Sequence, residues 1–171
     1  AKIDAPIVST MMGLGTVSSK DENFLGMLGS YGEAAAEWAC KNCDLLIAVG
    51  VRFSDRVTGR IDTFAPKAKK FHIDIDRAEI DKNVPADYYI VGDAAHVLEG
   101  LTPHISQQDH EEWKLLARHK KIDEKEWRKS SKLTALAVMG VIREITDENT
   151  RFVTDVGQHQ IWASTMLPHN Y

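Results

Sequence analysis

The chain has 171 residues, 43% hydrophobic and 27% charged, with a formal net charge of −4 at pH 7 and a pI near 6.0. That is globular composition with apolar material for one ordinary domain and part of another, and the acidic balance speaks against a nucleic-acid partner, which needs a clustered basic excess. No stretch approaches the roughly 18 consecutive apolar residues of a membrane span, so no membrane role is expected.

Short apolar strands are predicted at residues 6–9, 44–49, 70–75 and 88–91, alternating with an alanine-rich helix at 33–42 and a helix at 94–101 whose apolar residues keep helical spacing. This alternation predicts an α/β fold, a parallel sheet flanked by helices. Leu45-Leu46-Ile47-Ala48-Val49 is apolar on both faces, which places it in the middle of the sheet. Residues 106–131 are rich in Lys, Glu and His and are read as a linker helix, with Trp113 and Trp127 anchoring it. Residues 133–145 form a further helix, followed by a strand at 151–154, a glycine turn and a helix start. The expected organisation is one domain over 1–105, the linker over 106–131, and the truncated start of a second α/β domain over 132–171. Cys40 and Cys43 form a C-x-x-C at a helix end, where redox-active thiols are disfavoured, so they read as reduced packing cysteines.

Four loops follow predicted strands, and in an open parallel sheet such loops converge at the carboxyl edge, where ligands bind. They are Thr10-Met11-Met12-Gly13-Leu14-Gly15, the stretch from Gly50 through Arg52, Asp55 and Arg56 to Gly59, Asp74-Ile75-Asp76, and Gly92-Asp93-Ala94. Arg52 and Arg56 suit a phosphate and a carboxylate, or else form a local ion pair with the aspartate between them. Asp74 suits a ribose hydroxyl or a helix cap, and Asp93 a helix cap. Together the loops point to a nucleotide-type cofactor, although the G-x-G-x-x-G and G-x-x-x-x-G-K-[ST] loops are absent. Gly157 opens a helix whose N–H groups suit an anion. Apart from His159, the histidines are read as surface or packing residues.

The strings STMMGLG, FLGMLG, CDLLIAVGVRFSDRVTG, DTFAPKAK, FHIDID and TDVGQHQIWA, in this order, resemble the large catalytic subunit of acetolactate synthase, or acetohydroxyacid synthase. The resemblance covers nearly the whole chain and is weakest over 106–131. It implies a thiamine-diphosphate enzyme of three α/β domains, of which this chain is most of the Rossmann-like middle, FAD-holding domain, less its first strand and helix, plus the first helix and strand of the third. The implied reaction decarboxylates pyruvate and joins the remainder to a second 2-keto acid, pyruvate or 2-ketobutyrate, in branched-chain amino acid biosynthesis; the FAD has a mainly structural part.

The resemblance assigns FAD contacts to Thr10, Met11, Met12, Leu28, Gly29, Ser30, Tyr31, Gly32, Gly50, Val51, Arg52, Asp55, Val57, Asp74, Ile75, Gly92, Asp93 and Ala94. It gives Arg56 the carboxylate of the second keto acid, and Gly157, Gln158 and His159 the diphosphate of thiamine diphosphate. No metal ligand is assigned in this chain: the residues for the implied Mg2+ and the ring-activating glutamate are expected outside it, so the chain alone is expected to be inactive. Three departures stand out, Ser30 for a substrate-facing methionine, Tyr31 for a histidine near the flavin and Ser54 for an aspartate.

The resemblance further implies a homo-oligomer, dimer or tetramer, with a small regulatory subunit as a possible partner. The location would be cytoplasmic in a bacterium or archaeon and plastid in a plant or alga. The alternatives are another FAD-containing carboligase, such as glyoxylate carboligase, and a non-catalytic nucleotide-binding module. Retained Arg56 and Gly157-Gln158-His159 speak against the second, since a binding module has no need of them.

Overall fold

A computed structural model describes residues 2–121, 133–147 and 149–169. Its first half is built from five short parallel strands and the helices that cross between them. Strands β1 (Ile7–Ser9) and β2 (Phe24–Met27) pair with each other, and β3 (Leu45–Val49), β4 (Lys69–Asp74) and β5 (Tyr88–Val91) form a second sheet in the order β3-β4-β5. Helix α1 (Ala34–Asn42) connects β2 to β3, the single turn α2 (Asp55–Thr58) follows β3, and α3 (Ala94–Leu101) follows β5. The parallel α/β expectation holds.

Two details of the expected sheet need correction. Strand β2 was not foreseen, although all four of its residues are buried; Gly26 sits inside it at φ +101, with the Glu33 carboxyl group occupying the space a Cβ would take. Glycine weakens strand propensity, and here it lets a second chain segment approach closely. Strand β3, expected in the middle, lies at the edge of its sheet with β4 in the centre. Its two-faced apolar pattern is therefore only partly covered, and Leu45 is 50% exposed.

Two apolar clusters hold this half together. Phe53, Phe64, Ala65, Ala68 and Val84 pack with Ala48 on one side, and Leu25, Ala35, Ala36, Ala39 and Ala117 on the other. The alanine face of α1 lets the helix lie close on β2, so residues with good helix propensity also give tight packing. Cys40 is buried in that helix and free, and Cys43 donates its thiol hydrogen to the Cys40 carbonyl at 3.3 Å. Burial pushes the Cys40 thiol up to about 12, so it is an inert packing group at neutral pH.

Helix α4 (Glu111–Arg118) lies within the stretch read as a linker helix. Its Trp113 stacks on Trp38 of α1 with ring centroids 5.8 Å apart, as an anchor should. Lys114, 4% exposed, binds Asp4 at 2.6 Å and Glu111 at 2.8 Å. Arg118 donates to the Glu22 carbonyl at 3.1 Å and Lys121 to the Phe24 carbonyl at 2.7 Å, so one basic face grips the first sheet. Trp127 and the other residues of the expected linker from 122 to 131 lie outside the described residues.

Helices α5 (Ala135–Ile145) and α6 (Gln158–Met166) pack on each other, and Thr134 caps α5 by accepting the Ala137 N–H at 3.2 Å. The strand expected at 151–154 is not formed: the segment has no regular structure and Val153 is 95% exposed. Among the described residues no strand lies beside it, and a parallel strand acquires its hydrogen bonds only from a neighbour. After α6 the chain returns to the first half, where Ser19 donates its N–H to the His169 carbonyl at 2.9 Å.

Candidate functional site

Because β3, β4 and β5 run parallel, the loops that follow them open on one edge. The ladder continues into those loops: the Gly50 N–H donates to the Ile73 carbonyl at 2.8 Å and the Gly92 N–H to the Asp74 carbonyl at 2.9 Å. Gly50, Asp74 and Gly92 thus stand side by side at neighbouring strand ends. In the other sheet the Leu28 N–H donates to the Ser9 carbonyl at 2.8 Å, which brings the loop after β2 beside Thr10.

The two groups of loops are joined through α2. The Ser30 N–H donates to the Arg56 carbonyl at 2.8 Å, and the Ser30 hydroxyl reaches the same oxygen at 3.3 Å. Gly29, at φ +118, makes this approach possible, since a Cβ there would collide with the Arg56 carbonyl. Leu28 to Gly32 is therefore a fifth strand-end loop, set against Asp55-Arg56-Val57. The backbone of Arg56 is fixed while its side chain is exposed, and among the described residues neither Arg52 nor Arg56 pairs with a carboxylate. The local ion pair considered from sequence does not form. Instead the Asp55 carboxylate accepts the Arg56 N–H at 2.9 Å, leaving two cations facing solvent for an anionic ligand.

Asp74 ends β4 and is 8% exposed. Its Oδ1 accepts the Asp76 N–H at 2.9 Å, while Asp76 caps the next turn through the Ala78 N–H, so capping falls to Asp76 and leaves the second oxygen of Asp74 uncommitted. Asp93 caps α3, accepting the His96 N–H at 3.1 Å. Met12, Tyr31 and Ile75 are exposed around the same edge. Ile75 lies just past β4, so it belongs to the loop and not to the predicted strand.

Sequence reading missed His72. It is 1% exposed on β4, neither ring nitrogen has a hydrogen-bond partner, and its Nε2 stands 3.8 Å from Asp74 Oδ2, beyond hydrogen-bond range. An unpaired buried polar atom costs about 1–3 kcal/mol. The available signal was the alternation in Phe71-His72-Ile73-Asp74, which puts His72 and Asp74 on one face of the strand.

The edge is an open surface. Shallow depressions lie elsewhere, one beside Ile7, Val17 and Asp21 and another beside His110, Trp113 and Leu116. Gly157, Gln158 and His159 begin α6, with Gly157 at its N-cap and no side chain capping it, so the first helical N–H groups are open to an anion. No described hydrogen bond joins these three residues to the strand-end loops. Among the described residues no cluster of His, Cys, Asp and Glu is placed to hold a metal, and no helix is long and apolar enough to cross a membrane.

Residues 1–101 match the model of the thiamine pyrophosphate enzyme central domain. The chain belongs to the thiamine pyrophosphate enzyme family. The matched central domain contains every strand-end loop described above, and Gly157 to His159 lie beyond it. The chain is 40% identical over 167 residues to the acetolactate synthase isozyme 2 large subunit of Escherichia coli, covering 96% of this chain and 30% of that protein. Identity to the probable acetolactate synthase large subunit of Methanocaldococcus jannaschii is 41% over 186 residues, 99% of this chain and 31% of the relative. For the chloroplastic acetolactate synthase of Arabidopsis thaliana it is 37% over 174 residues, 97% and 26%. The chain thus spans under a third of the length of these curated relatives.

Proposed function

We infer that this chain is the middle domain and the beginning of the third domain of an acetolactate synthase. In the longer enzyme, pyruvate is decarboxylated and joined to a second pyruvate or to 2-ketobutyrate. Thiamine diphosphate, when bound with Mg2+, supplies the carbanion chemistry. The observation that carries this reading is the clasp of Gly29 and Ser30 on Arg56, which fixes the backbone of an unpaired arginine beside the strand-end loops. A fixed, permanently charged guanidinium suits the carboxylate of the second keto acid.

The donor set fits FAD. Asp74 offers one uncommitted carboxylate oxygen for ribose hydroxyls, Arg52 an unpaired cation for phosphate, and Gly50 an open backbone, since a Cβ there would meet nothing within 4 Å. Exposed Tyr31 and Met12 are available to a flavin face. An open edge of this kind needs cover from other parts of the enzyme, and the third-domain start belongs to that cover, with Gly157 to His159 holding the thiamine diphosphate. Residues 1–105, 106–131 and 132–171 are then middle domain, connection and third-domain start, in an oligomer located in the cytoplasm or, for a plant or alga, the plastid.

The test is Arg56→Ala in the full-length protein. Carboligation should fall about 10²-fold, the worth of a charged hydrogen-bond pair, while pyruvate decarboxylation continues. Equal loss of both activities, or no loss, would remove Arg56 from this role.

A further inference from the structure

His72 is a buried polar side chain whose two ring nitrogens both lack a hydrogen-bond partner. Its ring meets Phe53 edge-on at 5.0 Å and 68° between planes, and it pairs in register with Ala48 on β3 and with Tyr89 on β5. A phenylalanine or leucine would fill that space without an unpaired nitrogen. Its Nε2 stands 3.8 Å from Asp74 Oδ2, the oxygen that the Asp76 N–H leaves uncommitted. Asp74 in turn stands at the open edge of the strands, between Gly50 and Gly92.

We propose that His72 is a positioning residue for Asp74, its Nε2–H turning the carboxylate so that Oδ2 is presented to a ribityl or ribosyl hydroxyl of a nucleotide ligand. In this tautomer the single N–H is carried by Nε2, the nitrogen 3.8 Å from the Asp74 carboxylate. Phe53 packs against the ring and is the chain neighbour of Arg52, at φ +47. The imidazole therefore lies between the Asp74 end of the site and the loop that carries Arg52 and Arg56. The proposal rests on the reading of Asp74 as a nucleotide contact.

A double-mutant cycle on FAD affinity tests it, using the full-length apoprotein and flavin fluorescence quenching on binding. His72→Phe should weaken FAD about tenfold when Asp74 is present and have no further effect in the Asp74→Asn background, and His72→Gln, which keeps an N–H donor, should recover most of the loss. Thermal unfolding of each variant confirms that it is folded. A merely structural histidine predicts the same loss in both backgrounds and no rescue by glutamine, and either result overturns the proposal. So does an unchanged affinity in His72→Phe when Asp74→Asn alone binds weakly. An Asp74→Asn variant with undiminished FAD affinity overturns instead the reading of Asp74 itself, and with it the ligand that His72 serves.

Discussion

Arg56 and Cys40 illustrate how single residues acquire opposite characters from their surroundings. Arg56 is held through its carbonyl and left free at its guanidinium, so the close approach at Gly29 is what fixes it. Gly29→Ala should destabilise the domain by about 2–4 kcal/mol, from a positive φ that alanine resists and from collision with the Arg56 carbonyl. The urea midpoint measures this, and an unchanged midpoint would show that the loop does not approach Arg56 as described. Cys40 is the reverse case. Burial raises its thiol from the ordinary 9.0 to about 12, so between those values the unfolded chain gives up a proton that the folded chain retains. Stability from this group is fully present below pH 9 and falls as pH rises, by up to ~1.4 kcal/mol per unit. Urea midpoints above pH 9 should decline less steeply in Cys40→Ala than in the wild type. Both residues were visible in the sequence, but only Arg56 was marked there by its neighbours. His72 was not, because its burial follows from which face of β4 meets Phe53.

At the level of elements, legibility tracked how far each segment carries its own signal. Residues 94–101 and 88–91 were predicted to the residue because β5 is a run of aromatic and β-branched residues and α3 has an aspartate cap before an apolar spacing. Strand β2 was hidden by Gly26, whose role is set by Glu33, a residue outside the strand. The 151–154 strand shows the converse, sequence preference without a partner to realise it. Charge alone did not announce that in helix α4 Lys114 turns to Asp4 and Arg118 to the Glu22 carbonyl, with Lys121 just beyond it reaching the Phe24 carbonyl. The hydrogen bond from Lys114, reinforced by the His110 N–H, holds the Asp4 carboxyl below its usual range, and Lys114 does the same for Glu111. Depressed carboxylates stabilise at pH values above their ordinary range and lose that contribution as pH falls through the depressed values. Helix α4 should therefore loosen below about pH 4, seen as a change in tryptophan fluorescence as Trp113 leaves Trp38. Lys114→Met should flatten that acid transition; an identical transition in the variant would contradict the role of the clasp.

For the whole molecule, the family, the parallel α/β class and the row of strand-end loops were all legible in sequence, because the loop residues are fixed by local chemistry. The sheet order was not, since β3 has an open edge here that its two-faced apolar pattern does not announce. Exposed Val141, Ile145, Val153 and Val156 mark a second region whose apolar residues are only partly covered. The open β3 edge and these exposed apolar residues agree with a chain that spans under a third of the length of its relatives. The most direct measurement is product analysis of the full-length protein with thiamine diphosphate, Mg2+ and FAD, supplied separately with pyruvate and with glyoxylate. Acetolactate from pyruvate, with little turnover of glyoxylate, is the predicted result; preferential condensation of glyoxylate, or no carbon–carbon bond formation with either, would contradict the account.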